Sequence, residues 1–465
     1  MSEKTKKTPK QVGLIAALLS LAVLCLIFCG GFTFMKFNTQ AIFLVGAIAM
    51  GAVALLHGHS LKEVEDFFLD GCRGAVMPAM ILMVVGAVIG SWIVSGIVPT
   101  IIYYGLGILT PSTFLVAGFA MCCLISFFTG SSYTAISTIG IALLGIGLGL
   151  GINPALTSGM IVSGSLFGDK MSPFSDSTNM AAASAGTDVF DHVYSMLYTT
   201  VPAVAISAVL YFILGLRHSG DTMDTSVIEG IRNTMAENFT ITPILLIIPL
   251  LTIAMTIKKI PPIMALILSA IAGIIAAFIF QPHFGFKVIM DSLGSGFSIS
   301  TEIAEVNKLL NRGGMMNMMG AVCLTFLVLG MGQILQRIGV MEAVLGKLAN
   351  TVNTSRSLVI TTLASCLITT MVCASQYVAI VLPGQFMQPA YTRLKVKKRV
   401  LSRTLEDGGT IFCFLLPWTT SGVYVPSVLG VSVFEYAPFA FFCLLCPIIC
   451  VIYAVTGFAI FKEEE

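Results

Sequence analysis

Apolar stretches of membrane-spanning length recur from one end of the chain to the other. Examples are residues 12–34, 75–98, 193–216 and 261–280. A helix needs about 17–25 predominantly apolar residues to cross a hydrocarbon core. The pattern therefore predicts an all-α polytopic membrane protein.

The composition agrees with this class of protein. Of the 465 residues, 56% are hydrophobic and 10% are charged, whereas a soluble domain carries about 25% charged residues. The net charge of +2 indicates nothing about partners, but the sequence has no basic stripe for nucleic acid, so we expect membrane lipid and no nucleic acid as partner. Cys443, Cys446 and Cys450 resemble an iron–sulfur spacing but lie within an apolar stretch, so we expect no cofactor.

Two segments share a motif and indicate an internal repeat. Residues 123–136 read CLISFFTGSSYTAI and residues 366–380 read CLITTMVCASQYVAI, with an offset of 243 that becomes 244 after one insertion. The register extends outward to Gly96 with Gly339 and to Pro173 with Pro417. We predict five segments, in chain order: an N-terminal tail 1–10, a first transmembrane repeat 11–216, a polar extracytoplasmic linker 217–239, a second transmembrane repeat 240–461 and a C-terminal tail 462–465.

The distribution of Lys and Arg predicts that the two repeats have opposite orientations. The loop YTRLKVKKRV carries five basic residues at 393–399, whereas its first-half counterpart at 146–155 carries none. Because cytoplasmic loops are enriched in Lys and Arg, equivalent loops are expected on opposite sides of the membrane. This pattern is typical of inverted-topology repeats in secondary transporters. It places both termini in the cytoplasm, with the first ten residues as a basic anchor and not a cleavable signal peptide.

The repeated motif allows two topologies. Residues 112–130 and 133–150 form either two full spans or a re-entrant hairpin, and the same holds for 355–374 and 376–391. Their short lengths favour hairpins. The residues at the two expected tips are Thr129, Ser131, Ser132, Ser375 and Gln376.

A cluster of polar residues lies at a place where hydropathy predicts a membrane crossing: FGDKMSPFSDSTN, residues 167–179. We predict helices over 155–168 and 176–186, with Gly168 and Pro173 interrupting one crossing between them. Irregular backbone at membrane depth is tolerated only beside protein or a water-filled cavity, and such a break supplies the hard oxygens that a small cation needs. The alternative is an ion pair in a loop followed by a helix capped by Ser175 or Asp176.

The second half has its own polar stretch, SRTLEDGGTIFCFLLPWTT, at residues 402–420. There Glu406 and Asp407 precede a Gly-Gly pair that we expect to open the helix. With a gap, Asp407 takes roughly the place of Asp169. Ionisable residues within a membrane cost at least about 2.5–3.5 kcal/mol each, which favours a functional role. The alternative is a cytoplasmic helix end near the basic loop.

The stretches GSSYTAISTIGIALLGIGLGLGI, SGSLFGDKMSPFSDSTNMAAASAGTD and LSRTLEDGGTIFCFLLPW closely resemble the NhaC family of bacterial Na⁺/H⁺ antiporters. The resemblance implies an inner-membrane secondary antiporter with inverted repeats, paired hairpins and broken helices, in a class where homodimers are common. The site residues that it implies for cation or substrate are Asp169, Ser175, Asp176, Thr178, Asn179, Glu406, Asp407 and Thr410. Na⁺ itself is assigned by hypothesis to Asp169, Asp176 and Asn179.

The mechanism that follows is competition of Na⁺ and H⁺ for buried carboxylates, combined with alternating access. Lys170 and Arg403 are the basic residues beside the breaks and are candidate counter-charges. Two alternatives stay open at this point, a malate/lactate-type organic-solute antiporter and an amino-acid transporter, because the same family contains such members. A channel is disfavoured by two discrete broken helices, and an enzyme by the lack of a catalytic or metal constellation in the spans.

Overall fold

The computed structural model describes residues 12–31, 37–218 and 225–463, and their regular structure is helical apart from one isolated bridge between Val396 and Lys462. The predicted tails at 1–10 and 462–465 therefore lie largely outside the described residues. In the first half the α-helices are α1 (Leu14–Cys29), α2 (Thr39–Leu56), α3 (Leu61–Val94), α4 (Ile97–Ile108), α5 (Pro111–Thr129), α6 (Ser132–Ala135), α7 (Ile141–Gly149), α8 (Pro154–Met171), α9 (Asp176–Ala185) and α10 (Val189–His218).

The linker and second half continue the helical pattern. Their α-helices are α11 (Thr225–Asn238), α12 (Ile247–Ile257), α13 (Pro262–Phe280), α14 (Gly285–Gly294), α15 (Ala304–Leu310), α16 (Met319–Arg337), α17 (Val340–Thr351), α18 (Ser355–Cys373), α19 (Gln376–Arg393), α20 (Lys398–Leu405), α21 (Ile411–Cys413), α22 (Thr420–Leu429), α23 (Val433–Tyr436) and α24 (Phe441–Thr456). Two π-helical segments, Ile136–Gly140 and Glu406–Thr410, join α6 to α7 and α20 to α21.

Within the described residues, eight helices are long and apolar enough to cross a membrane, and two further bent helix pairs pass the same test. They include α3, α10 and α13, which cover all or most of three of the apolar stretches predicted from the sequence. The chain is thus a multi-pass, all-α membrane protein, and this prediction is confirmed.

The helix boundaries repeat along the chain. Helices α4 and α17 have 12 residues each and are displaced by 243 residues. Helices α5 and α18 have 19 residues each, and α9 and α22 have 10 each, with a displacement of 244 in both cases. The glycine before α4 and the glycine before α17 both adopt positive φ. The register predicted from the motif therefore extends to the secondary structure of both halves.

The loop between α3 and α4 and its counterpart between α16 and α17 lie near opposite ends of α3. Beside its C-terminal end, the Ser95 carbonyl accepts a hydrogen bond from Gln281 Nε2 at 3.3 Å. Near its N-terminal end, Asp70 accepts one from Arg337 Nη2 at 3.0 Å. The rise of 1.5 Å per residue separates Asp70 from Val94 by about 36 Å. These contacts favour the opposite orientation of the two repeats, which stays a prediction.

Both helical hairpins turn back against a break in a neighbouring helix. The first turn lies between α5 and α6, where a Cβ added at Gly130 would be 2.8 Å from the carbonyl carbon of Phe174. In the second, the Ala374 carbonyl accepts a hydrogen bond from Thr420 N at 3.0 Å. Phe174 lies in the break before α9, and Thr420 begins α22. Each hairpin turn contacts the interrupted middle of a crossing helix and not its end. This contact favours the re-entrant hairpin over two full spans.

The helix breaks do not lie at the glycines where the sequence predicted them. Helix α8 continues through Gly168 to Met171, and the helix from Lys398 to Cys413 continues through Gly408. These glycines instead allow close packing: a Cβ at Gly168 would lie 2.0 Å from the Ser126 carbonyl carbon in α5. The breaks fall at 172–175 and 414–419, around Pro173 and Pro417, because a proline ring and its missing N–H end a helix.

The predicted correspondence of Asp407 with Asp169 is wrong. The helix boundaries on both sides keep a displacement of 244 without a gap, so the position equivalent to Asp169 is Cys413. Asp169 lies in the last turn before its break. Asp407 lies two turns earlier in its own helix, within the π-helical segment.

Candidate functional site

Asp169 is the centre of the hydroxyl-lined site in the first half. Its side chain is only 6% exposed. Ser132, at the start of α6, donates its hydroxyl to one carboxylate oxygen, and Ser175 Oγ donates to the other at 3.3 Å. The hairpin turn and the helix break thus each supply one hydroxyl to a single buried carboxylate.

The main chain of Asp169 is held as tightly as its side chain. Its carbonyl oxygen accepts hydrogen bonds from Ser177 Oγ at 3.1 Å and Thr178 Oγ1 at 2.7 Å. Both donors lie in the first turn of α9, beyond the break. The polar side chains of SPFSDST therefore close the gap between the two half-helices, and this is how backbone at membrane depth keeps its hydrogen bonds.

A cavity of about 430 Å³ opens beside Asp169. Its walls come from the first hairpin turn, the break between α8 and α9, the turn between α12 and α13, and the start of α19. Its lining residues include Ser131, Asp169, Phe174, Asp176, Lys259 and Tyr377. A second cavity of about 250 Å³ shares Ser131, Asp176 and Tyr377 with the first and is walled mostly by apolar side chains of α3, α13 and α16.

The other two residues of the Na⁺ hypothesis lie farther out. Asp176 is exposed and lines both cavities. Asn179 is also exposed, and its amide nitrogen donates to the carbonyls of Pro173 at 2.9 Å and Ser175 at 2.8 Å. Asp176 is thus placed at the rim of the cavity, while Asn179 holds the break in shape.

Lys170 forms a buried ion pair with Asp407 across the two halves of the chain. Both side chains are fully buried. Thr199 in α10 completes a triangle, because its hydroxyl lies 3.2 Å from Lys170 Nζ and 3.1 Å from Asp407 Oδ1. The alternative in which Lys170 pairs with Asp169 in a loop is therefore wrong.

Glu406 is the third buried carboxylate. It is fully buried, which excludes the alternative of an exposed helix end, and Thr410 donates its hydroxyl to it. The charge of Glu406 interacts with those of Asp169 and Lys170. Acidic residues from both halves therefore lie in one electrostatic neighbourhood.

Arg403, the second predicted counter-charge, lies in a different environment from Lys170. Its side chain is fully buried, and Nη2 donates to the Ala459 carbonyl at 3.1 Å. The ion pairs in the described part of the chain do not include Arg403. It anchors the segment after α24 and does not meet the cavity.

The residues predicted at the hairpin tips have mainly local roles. The hydroxyls of Ser131 and Ser375 accept hydrogen bonds from the backbone N–H of Thr134 at 3.2 Å and Val378 at 3.5 Å, as helix N-caps do. Thr129 donates to the Ile125 carbonyl at 2.8 Å within its own helix. Gln376 is buried and lines the cavity.

Sequence reasoning missed Thr199, Tyr377 and Lys259. The hydroxyl pair Thr199–Thr200 in an otherwise apolar helix was a usable signal, because a buried hydroxyl needs a partner. Tyr377 follows Gln376 at the second tip and was within reach of the same argument. The position of Lys259 depends on tertiary contacts that the sequence pattern does not show.

Comparison with known proteins decides the family. The profile of the Na⁺/H⁺ antiporter family matches residues 4–194 and 164–458, which together cover almost the whole chain. This chain belongs to the Na⁺/H⁺ antiporter family. The resemblance read from the sequence is thereby confirmed.

Several characterised members of the antiporter family align with most of the chain. The Na⁺/H⁺ antiporter NhaC of Alkalihalophilus pseudofirmus is 38% identical over 417 residues, covering 89% of this chain and 90% of the relative. NhaC of Bacillus subtilis is 33% identical, covering 97% and 98%. The malate-2H⁺/Na⁺-lactate antiporter of Bacillus subtilis is 35% identical, covering 90% and 89%. These three relatives are thus antiporters by name.

A solved structure also aligns along the chain. The Neisseria gonorrhoeae MtrF structure, from a class of antimetabolite efflux pumps, covers 93% of this chain and 97% of its own at 12% identity, with a TM-score of 0.43.

Proposed function

We propose that this chain is a secondary antiporter that exchanges Na⁺ for H⁺ across the bacterial inner membrane. Membership of the antiporter family supports the proposal. The observation that carries it is the environment of Asp169, a nearly buried carboxylate with two serine hydroxyls on it and a cavity beside it. A single carboxylate of this kind accepts either a small hard cation or a proton.

The oxygens around Asp169 suit Na⁺. Hard cations prefer carboxylate, hydroxyl and carbonyl oxygens. Ser132 and Ser175 present hydroxyls to the carboxylate, and each can turn its lone pairs toward a bound cation when it stops donating. When Na⁺ leaves, a proton on Asp169 removes the buried negative charge, so the two ions compete for one site.

Asp176 serves as the entrance carboxylate in this proposal, since it is exposed on the rim of the cavity. Glu406 is the second internal acid, reached after Asp169 and interacting with it. Lys170 and Asp407 compensate each other's charge and stay in place as a neutral pair. The two halves are thus joined at the point where the ions compete.

The sidedness of the exchange follows from the basic residues. The cavity opens between the first hairpin turn and the turn that carries Lys258 and Lys259. Under the positive-inside rule this side is cytoplasmic, together with both termini. Inverted repeats then allow alternating access, because rocking of one repeat against the other exposes the same site to the opposite side.

The test uses everted membrane vesicles in which this chain is the only antiporter produced. Addition of Na⁺ should dissipate a preformed pH gradient, read by a fluorescent amine. Asp169→Asn should abolish the response, because the amide carries no charge and takes up no proton. A matched control is Asp66→Asn, which changes an exposed carboxylate on α3.

Two results would contradict the proposal. A fully active and folded Asp169→Asn variant would exclude this carboxylate as the exchange site. A response that requires added malate, lactate or an amino acid as well as Na⁺ would replace ion exchange by organic-solute antiport.

A further inference from the structure

Lys259 occupies an unexpected place for a basic residue, on the wall of a cavity that is proposed to receive cations. It lies in the short turn between α12 and α13 and lines the cavity that contains Asp169 and Asp176. Its backbone adopts φ of +58°, in the left-handed region that side-chain-bearing residues rarely occupy. Its neighbour Lys258 has an ordinary φ and does not line the cavity.

The side chain of Lys259 reaches the helix break. Its Nζ lies 4.9 Å from the centroid of the Phe174 ring, a distance typical of a cation–π contact. Phe174 precedes Ser175, and Ser175 donates its hydroxyl to Asp169. The ammonium group is therefore docked one residue from the shell of the proposed Na⁺ site.

A charge at this position acts on any ion that enters. Lys259 is exposed, so water screens it, but it faces the same aqueous space as the two carboxylates. Its charge repels Na⁺ bound at Asp169. The attraction between Lys259 and the ionised carboxylate is the same with and without Na⁺, so at a pH where Asp169 is ionised the repulsion weakens Na⁺ binding relative to an uncharged residue.

We propose that Lys259 sets the Na⁺ affinity of this antiporter, as a fixed positive charge at the cavity mouth that weakens cation binding from that side. The proposal rests on the proposed function, in which Na⁺ binds at Asp169. For a charge on the order of 10 Å from the ion at an effective dielectric constant of ~40–80, Coulomb's law gives roughly a two- to fourfold change in affinity.

The experiment compares Lys259→Gln with Lys258→Gln in everted vesicles. Glutamine keeps a long polar side chain and adopts the left-handed backbone of position 259 no more easily than lysine does. The two variants therefore differ in which of the two neighbouring positive charges is removed. Lys259→Gln should lower the half-maximal Na⁺ concentration by roughly two- to fourfold at low ionic strength, and Lys259→Glu should lower it further. Lys258→Gln should change it less than Lys259→Gln, and Lys259→Arg should keep the native value.

Salt provides a second readout. Choline chloride at about 0.5 M shortens the Debye length well below 10 Å, so the difference between Lys259→Gln and the native protein should shrink. An unchanged or raised half-maximal Na⁺ concentration in Lys259→Gln would overturn the proposal, as would equal effects of the two lysine variants or a difference that salt leaves intact. Failure of the native protein to respond to Na⁺ would instead overturn the proposed function.

Discussion

Removal of one partner of the Lys170–Asp407 pair tests whether the two halves are held together by a buried charge pair. Asp407→Asn keeps the shape of the side chain and removes its charge. Lys170 is fully buried, and its remaining neighbours include the hydroxyl of Thr199 at 3.2 Å, the Phe442 ring at 5.9 Å and the charge of Glu406. An ammonium group left in such a place has lost its direct counter-ion.

The magnitude follows from the burial of both partners. Breaking a buried pair from one side destabilises a protein by about 3–5 kcal/mol, and Glu406 compensates Lys170 in part, so the lower value is expected. At an unfolding entropy of about 2.1 cal/mol/K per residue, 3 kcal/mol in a chain of 465 residues corresponds to a fall in melting temperature of roughly 3 °C. The double variant Lys170→Met/Asp407→Asn removes both charges and should be less destabilised than Asp407→Asn alone, because neither charge is then left buried.

The assay is thermal unfolding of detergent-purified protein followed with a thiol-reactive dye. Cys122, Cys366 and Cys446 are buried, so they react only as the chain unfolds. Asp66→Asn is the control and should melt within about 1–2 °C of the native protein, since surface substitutions change stability by about 0.5 kcal/mol or less. If Asp407→Asn melted with the control, or if the double variant were as unstable as the single one, the pair would not hold the halves together.

Two further predictions concern the hairpin turns. Ser132→Ala removes a hydroxyl hydrogen bond to the Asp169 carboxylate, worth about 1.5–3 kcal/mol, and should raise the half-maximal Na⁺ concentration about tenfold or more in the vesicle assay, with the exposed Asp66→Asn as the control. Ala374 has φ of +52° where its repeat counterpart is Gly130, so Ala374→Gly should relieve roughly 1 kcal/mol and raise the melting temperature by about 1 °C. A lower melting temperature for Ala374→Gly, or an unchanged Na⁺ response for Ser132→Ala, would show that these turns are held by other contacts.

The membrane class, the repeat and the polar segment of the first half could be predicted from the sequence, because each depends on local pattern. Apolar length identifies spans irrespective of their neighbours. Pro173 and Pro417 lie in the two breaks, whereas Pro78 and Pro202 lie inside continuous helices, so proline indicated the breaks only together with the polar residues near it. Asp169 followed from the same segment, since a carboxylate beside a break within apolar spans has few structural uses.

The contacts of the second half were less predictable, because they depend on side chains far apart in the chain. Lys170 and Asp407 are separated by 237 residues, and no local pattern indicates that they meet. Gly408 and Gly409 suggested an open helix but instead let the π-helical segment pack against Cys366 and Ile380, whose side chains would meet added Cβ atoms at 2.6 and 2.8 Å. A glycine pair alone does not distinguish an unwound helix from a closely packed one.

The two repeats have matching helix boundaries but different residues near their helix breaks. This difference determines which side chains form the candidate site. In the first half the acidic residue lies in the last helical turn before the break, where the cavity reaches it. In the second half Cys413 takes that place, and the acids lie two turns earlier, buried against Lys170 and Asp169. If the second half had an acid at the equivalent position, two like charges would lie at one depth. Instead, the carboxylate of Asp169 lies beside the cavity, and that of Asp407 is neutralised by Lys170 inside the protein. In the proposed exchange Asp169 binds the competing ions, and Lys170 and Asp407, one from each half, supply the fixed charges beside it.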